Sequence, residues 1–317
     1  MEHLHSHSHA HSHPHAHSHS HNRKRSHLIF SILLNALITF VEVVGGLVSG
    51  SLALLSDALH NFTDVFALVV SLIAVELQKH AHTETRTFGY KRAEVLAALL
   101  NASILIVVSF FLFKEAFERL IHPAPINTGV MIVVAVIGLA ANALSMVLLR
   151  KDAHGNMNIR AAYLHLFTDT LSSVAVVLGG IVIWRFGITW VDPLLTVAIG
   201  AYVLKEGYEI VMQALHILMQ NVPKGISVKN IKHDIEQIPG VKNIHHVHLW
   251  SVAEDNIFME AHINVAEDIR ISECCVLKNR IEELLKSKHK VTHVTIQFEY
   301  DSCKNVSLIH TEEKEEH

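Results

Sequence analysis

The chain has 317 residues, half of them hydrophobic and only 18% charged, with a formal net charge of −4. This mildly acidic balance excludes the basic footprint of a nucleic-acid-binding protein. From Leu28 to about Ala214 the apolar residues gather into blocks of roughly 20, the length that carries a helix across a bilayer, which excludes an ordinary soluble globule.

Residues 1–27 are dominated by HSHSHAHSHPHAHSHSH and end near the basic run Arg23, Lys24 and Arg25. They lack the apolar core of a cleavable signal peptide. His-rich tracts bind transition metals through composition alone. Interchangeable histidines such as His5, His7, His9 and His11 are therefore read as loose metal capture on a disordered cytosolic tail.

Six apolar blocks follow: Leu28–Val48, Leu52–Leu77, Ala93–Phe113, Gly129–Leu149, Ala161–Trp184 and Pro193–Met212. They predict a six-helix transmembrane domain over residues 28–213. Lys and Arg concentrate on alternate connections. Lys79, Arg86, Lys91 and Arg92 sit in the second, and Arg150, Lys151 and Arg160 in the fourth. The first has none, the third only Lys114 and Arg119, and the fifth only Arg185. The bias places both termini in the cytosol, with an even number of spans. The expected location is the cell (plasma or inner) membrane.

From residue 214 to 303 the pattern is that of a soluble domain. VKNIKHDIEQI has helical spacing at Val228, Ile231, Ile235 and Ile238. NIHHVHLWSV and FMEAHINV alternate as strands. ISECCVLKNRIEELLKS returns to helix, with Ile271, Cys274, Ile281 and Leu284 read as its apolar stripe, and VTHVTIQFEYD is a third strand. The order αββαβ predicts a small α+β domain, ferredoxin-like or metallochaperone-like, with helices on one sheet face. Residues 304–317 read as a solvated acidic tail. The three cysteines, Cys274, Cys275 and Cys303, are expected as reduced thiols on the cytosolic side.

Two apolar blocks carry the same unit: HNFTD at residues 60–64 and HLFTD at 165–169. Residues four apart on a helix share a face, with Cβ atoms roughly 6 Å apart. His60 with Asp64, and His165 with Asp169, therefore each reach toward one small cation, and the two faces together offer two imidazoles and two carboxylates. Zn²⁺ favours such a tetrahedral set. A lone carboxylate is costly within a membrane, and two carboxylates with neutral imidazoles around Zn²⁺ are electrically neutral. Metal ligands must shed protons to bind, so metal and H⁺ compete for these groups. The set suits Zn, Co, Ni or Cd better than Mg or Ca, and the lack of thiolates or thioethers disfavours Cu(I). The alternative is that each pair bonds helices together, but the repeated spacing, with Thr before each Asp, favours the metal site.

These segments, together with SLALLSDALHNFTD, FGYKRAEVLAALLNA, VDPLLT and the C-terminal HHVHLW, resemble the cation diffusion facilitators over nearly the whole chain. That family comprises proton-coupled zinc transporters. The resemblance implies six spans, a transport site on the second and fifth matched here by His60, Asp64, His165 and Asp169, and a homodimer joined through the cytosolic domains. It also implies that a His at the Asn-Phe-Thr-Asp turn favours Zn²⁺ over Cd²⁺. Some relatives place histidines of an extra site where RTFGY has Arg86 and Tyr90, so that site is not expected here. His80 and His82 are read as a looser relay toward the pore, against a solvated hairpin.

Asp57, one turn before His60, is read as a proton relay or outer-shell partner, or else as an interhelical hydrogen-bond acceptor. Asn35, Glu42 and Asn142 either line a water path or bond helices together. Asp192-Pro193 reads as a helix N-cap followed by the first helical position. By the family resemblance, His245, His262 and Glu299 fall near positions used for regulatory zinc, with Cys275 as a further ligand; the alternative is that they are surface residues of strands in a His-rich domain.

The reading is a proton-coupled exporter of Zn²⁺, with Cd²⁺ and Co²⁺ as further substrates, working by alternating access across the lipid bilayer. No organic cofactor and no nucleic-acid partner are expected. An intramembrane metallohydrolase needs an open water position and a general base, and no His-Glu-x-x-His unit is present, so the chain is not read as an enzyme. A metal-gated channel or a His-rich sensor are the remaining alternatives.

Overall fold

The computed structural model describes residues 35–78, 80, 83–150, 157–253, 256–301 and 308. Among the described residues six helices come first: α1 (Asn35–Ser49), α2 (Leu52–Gln78), α3 (Ala93–Ile121), α4 (Thr128–Arg150), α5 (Met157–Phe186) and α6 (Val191–Leu218). Then follow α7 (Val228–Glu236), β1 (Val241–Ala253), β2 (Asn256–Val265), α8 (Ile271–His289) and β3 (His293–Tyr300). Among the described residues α3, Thr128–Val147 of α4 and Leu166–Phe186 of α5 are long and apolar enough to cross a membrane. Leu100, Phe110, Phe111, Val133, Leu144 and Leu178 on these helices are exposed, as lipid-facing side chains are. Several helices run beyond their apolar blocks. The last turns of α3 carry Lys114–Glu118 and Arg119–Glu115 ion pairs at 2.9 and 3.0 Å, the i,i+4 spacing that sustains a helix in water.

The helices divide between two compact units. One runs to Val65 and resumes over Lys114–Ile199; the other holds Phe66–Phe113 and the chain from Gly200 onward.

In the first unit, bare glycine backbone brings helices together. A Cβ on Gly45 of α1 would lie 2.6 Å from Val134 of α4, and one on Gly180 of α5 would lie 2.7 Å from Ile132 of α4. Asp192 does not cap its own helix. It lies within α6, and its carboxylate accepts from the backbone N–H groups of Leu52 (2.8 Å) and Ala53 (3.2 Å) and from Ser51 Oγ (2.5 Å). It therefore satisfies the open amides at the start of α2, and its negative charge suits that helix end. The expectation of a local N-cap is corrected: the free donors lay about 140 positions away.

In the second unit a three-stranded sheet has the order β1-β2-β3, with β1 and β2 antiparallel and β2 and β3 parallel. Ser227 caps α7, its Oγ accepting from Asn230 N. Ile231 and Ile235 of α7, Leu277, Ile281 and Leu285 of α8, and Ile257, Met259, Ala261 and Ile263 of β2 form one buried core. The apolar stripe of α8 is thus the i,i+4 row Leu277–Ile281–Leu285. Ile271 is 84% exposed and Cys274 only half-buried, so the first turn of α8 lies outside this stripe. Alternation along β2 sends Phe258, Glu260 and His262 to the opposite face. There Phe88, from the α2–α3 connection, meets Phe258 edge-on at 5.5 Å, and Lys91 lies 5.4 Å from the same ring.

Candidate metal centres

Three of the four residues of the repeated unit come together. His60 on α2 and Asp169 on α5 are buried, with His60 Nε2 3.1 Å from Asp169 Oδ1. Asp64, one turn along α2, has Oδ2 3.8 Å from the same nitrogen and a side chain 31% exposed. One ligand atom from each of the three lies within 4.8 Å of the other two, which is the span of a single coordination sphere. His165 lies on α5 four residues before Asp169; its side chain falls outside the described residues.

Asp57 is not a member of this group. It is 3% exposed and accepts from Ser172 Oγ (2.6 Å) and Ser173 Oγ (3.2 Å), both on α5. Ser173 Oγ in turn accepts from Asn142 Nδ2 of α4 at 3.4 Å. These bonds tie three helices together one turn from His60 and fix how α2 faces α5. Asn61, beside His60, donates to Glu42 Oε2 of α1 at 2.7 Å. Glu42 and Asn142 are therefore interhelical partners. Asn61, Ser172 and Ser173 were missed by the sequence reading, although polar residues beside the repeated unit in apolar helices were the available signal.

A second group lies on the sheet face away from the helical core. His262 Nδ1 is 2.9 Å from Glu299 Oε1, and His245 Nε2 is 3.3 Å from Glu299 Oε2. His245 gives its Nδ1 hydrogen to Asn243 Oδ1 at 3.0 Å, an oxygen that also accepts from Asn264 Nδ2. Nε2 then carries a lone pair, and it faces a carboxylate. Both His245 Nε2 and Glu299 Oε2 are buried without a hydrogen-bond partner among the described residues. Two facing acceptors are unfavourable unless a cation stands between them. Burial also holds the His245 imidazole below its usual range, against the pull of Glu299, and so keeps it in the neutral form a metal requires. A β-bulge across His245–His248 shapes the site: His246 takes φ 50°, and its ring stacks on His262 at 4.6 Å.

Cys275 does not join this group. It is exposed on α8, in the helical layer, whereas His262 points to the other sheet face. Cys274 and Cys275 are free thiols, and Cys303 lies outside the described residues. His80 is exposed, near Leu77 O (3.3 Å) and 6.3 Å edge-on from the Tyr90 ring, and belongs to no metal-sized cluster among the described residues. Arg86 donates to Tyr90 Oη and covers its ring at 4.7 Å, so both residues are engaged with each other. His82 and the tail histidines His5, His7, His9 and His11 lie outside the described residues.

Residues 28–219 match the cation efflux transmembrane domain, and residues 223–301 match the cytoplasmic domain of cation efflux proteins. The chain belongs to the cation efflux family, the cation diffusion facilitators. Among curated members, a cadmium, cobalt and zinc/H⁺–K⁺ antiporter of Bacillus subtilis is 39% identical over 264 residues, covering 83% of this chain and 85% of that protein. The zinc transporter ZitB of Escherichia coli is 38% identical over 265 residues, 83% of each chain. The metal cation efflux system protein CzcD of Cupriavidus metallidurans is 37% identical over 262 residues, 83% of this chain and 82% of that one. A solved metal-bound C-terminal domain of the CzcD transporter matches 23% of this chain and 99% of its own, at 26% identity and a TM-score of 0.21.

Proposed function

We propose that this cation efflux protein exports Zn²⁺ from the cytosol in exchange for protons, through a site formed by His60, Asp64, His165 and Asp169. The observation that carries the reading is the buried meeting of the His60 imidazole and the Asp169 carboxylate from separate helices, 3.1 Å apart, with Asp64 alongside. The naming of relatives as a cadmium, cobalt and zinc/H⁺–K⁺ antiporter and as a zinc transporter supports the choice of cargo.

The chemistry follows from the donor set. Zn²⁺ arriving from the cytosol displaces protons from the imidazoles and carboxylates, and the filled site is neutral. Six spanning helices with both termini cytosolic then reorient around it, as alternating access requires. Outside, protons return to the same groups, release the ion and neutralise the acids for the return step. Asp57, bonded to Ser172 and Ser173, holds α2 and α5 in register while the charge on the site changes. The ferredoxin-like C-terminal domain joins two copies into a homodimer. His245, His262 and Glu299 bind zinc there as a cytosolic sensor, a role supported by the facing acceptors that a cation would reconcile.

The test is zinc-driven proton movement in vesicles containing the purified protein, inverted so that the cytosolic face is outside. Wild type should acidify the medium on zinc uptake, whereas His60→Ala and Asp169→Ala should do neither. Undiminished uptake in both variants would overturn the site assignment. Uptake without any proton movement would overturn the exchange.

A further inference from the structure

We propose that the cavity at the junction of α3, α6 and the sheet domain binds a phosphate ester, with an anionic phospholipid as its occupant. The inference requires α3 to span the membrane and is independent of both metal centres.

The cavity has a volume of about 820 Å³ and lies where α3 starts and α6 ends. Its walls differ in chemistry. Val95 and Ala98 of α3, with Ile210, Ala214 and Ile217 of α6, form an apolar side. The other side carries Lys224, Lys288 and Lys290, and Glu94 is the one acid lining the cavity among the described residues.

Local bonds hold both cationic segments in place. In the linker after α6, Asn221 Nδ2 donates to His216 Nδ1 (3.1 Å), and His216 Nε2 donates to Val222 O (2.9 Å). Gln220 and Gly225 turn the chain at φ 57° and 85°, which sets Lys224 at the rim. Across from it, Asp234 accepts from Lys288 Nζ (2.7 Å) and His289 Nε2 (2.8 Å). Lys290 follows as the left-handed C-cap of α8, its N–H on Leu285 O. Asp234 thus neutralises Lys288. Lys224 and Lys290 have no acidic partner among the described residues, and they supply the charge.

An apolar wall continuing a membrane helix, opposed by lysines at the bilayer surface, matches the two halves of a phospholipid. Glycerol and the first acyl carbons meet α3 and α6, and the phosphodiester meets the lysines. A free phosphate would leave the apolar wall unused.

Native mass spectrometry of the full-length, delipidated protein tests this by titration with phosphatidylglycerol, phosphatidylcholine or inorganic phosphate. Wild type should take up phosphatidylglycerol in preference to phosphatidylcholine. A juxtamembrane lysine is worth about a fivefold gain in affinity, so Lys224→Gln and Lys290→Gln should each weaken the phosphatidylglycerol adduct about fivefold and together about 30-fold. Both positions are exposed, so the single variants keep the fold. Lys229→Gln, an exposed lysine outside the cavity, should bind as wild type does. Equal affinity in wild type and the double variant, or no preference over phosphatidylcholine, overturns the proposal. Displacement of phosphatidylglycerol by millimolar inorganic phosphate overturns the lipid assignment.

Discussion

Glu299→Gln should stabilise the metal-free sheet domain and remove most of its response to zinc. In the native domain His245 Nε2 and Glu299 Oε2 face each other at 3.3 Å with no hydrogen between them, because His245 spends its Nδ1 hydrogen on Asn243. A glutamine amide at the same place donates to Nε2 and turns this opposition into a hydrogen bond worth about 1 kcal/mol. In a domain of this size that raises the melting temperature by about 4–8 °C. Zinc at 100 times its dissociation constant stabilises the wild-type domain by about 2.7 kcal/mol. On the same scale this is a rise of roughly 10–20 °C, and loss of the anionic ligand should cut it to a few degrees. Trp250, paired with Phe258 across β1 and β2, reports on the sheet once Trp184 and Trp190 are replaced by Phe in the full-length protein. Thermal melts with chelator and with zinc then give both shifts. A metal-free variant that melts below wild type, or one that keeps the full zinc shift, would refute the argument.

Three further outcomes follow from named contacts. Asp57→Ala removes the acceptor shared by Ser172 and Ser173, and should weaken zinc binding at the membrane site about 10–100-fold in titration calorimetry while leaving His60 and Asp169 in place. Gly138→Ala drives a Cβ to 2.1 Å from Glu42 Oε1, and should cost about 1–3 kcal/mol of stability in detergent melts, with Glu42→Ala in the same chain restoring part of it. Lys288 and His289 hold the Asp234 carboxyl below the usual carboxylate range. A depressed carboxylate contributes stability above its unfolded value of about 4, lost as pH falls through the folded one. Asp234→Asn should therefore melt below wild type at neutral pH, and the gap should close on acidification; a gap independent of pH would count against the ion pairs.

What the sequence determined by itself was set by local spacing. Runs of apolar residues located the long helices, and period-two alternation located all three strands. The twice-written His-x-x-x-Asp put candidate ligands four residues apart on one helix. These features depend on neighbours three or four residues apart, and the chain carries them openly. Pairings between distant segments were decided only by tertiary structure. Asp192 looked like a cap for its own helix, but the unsatisfied amides belonged to Leu52 and Ala53. Cys275 looked like a ligand beside His262, but α8 and the histidines occupy opposite sides of the sheet. Asn61, Ser172 and Ser173 acquired roles only when α1, α2 and α5 came into contact. A buried polar group must find a partner, and which partner it finds depends on which helices pack together.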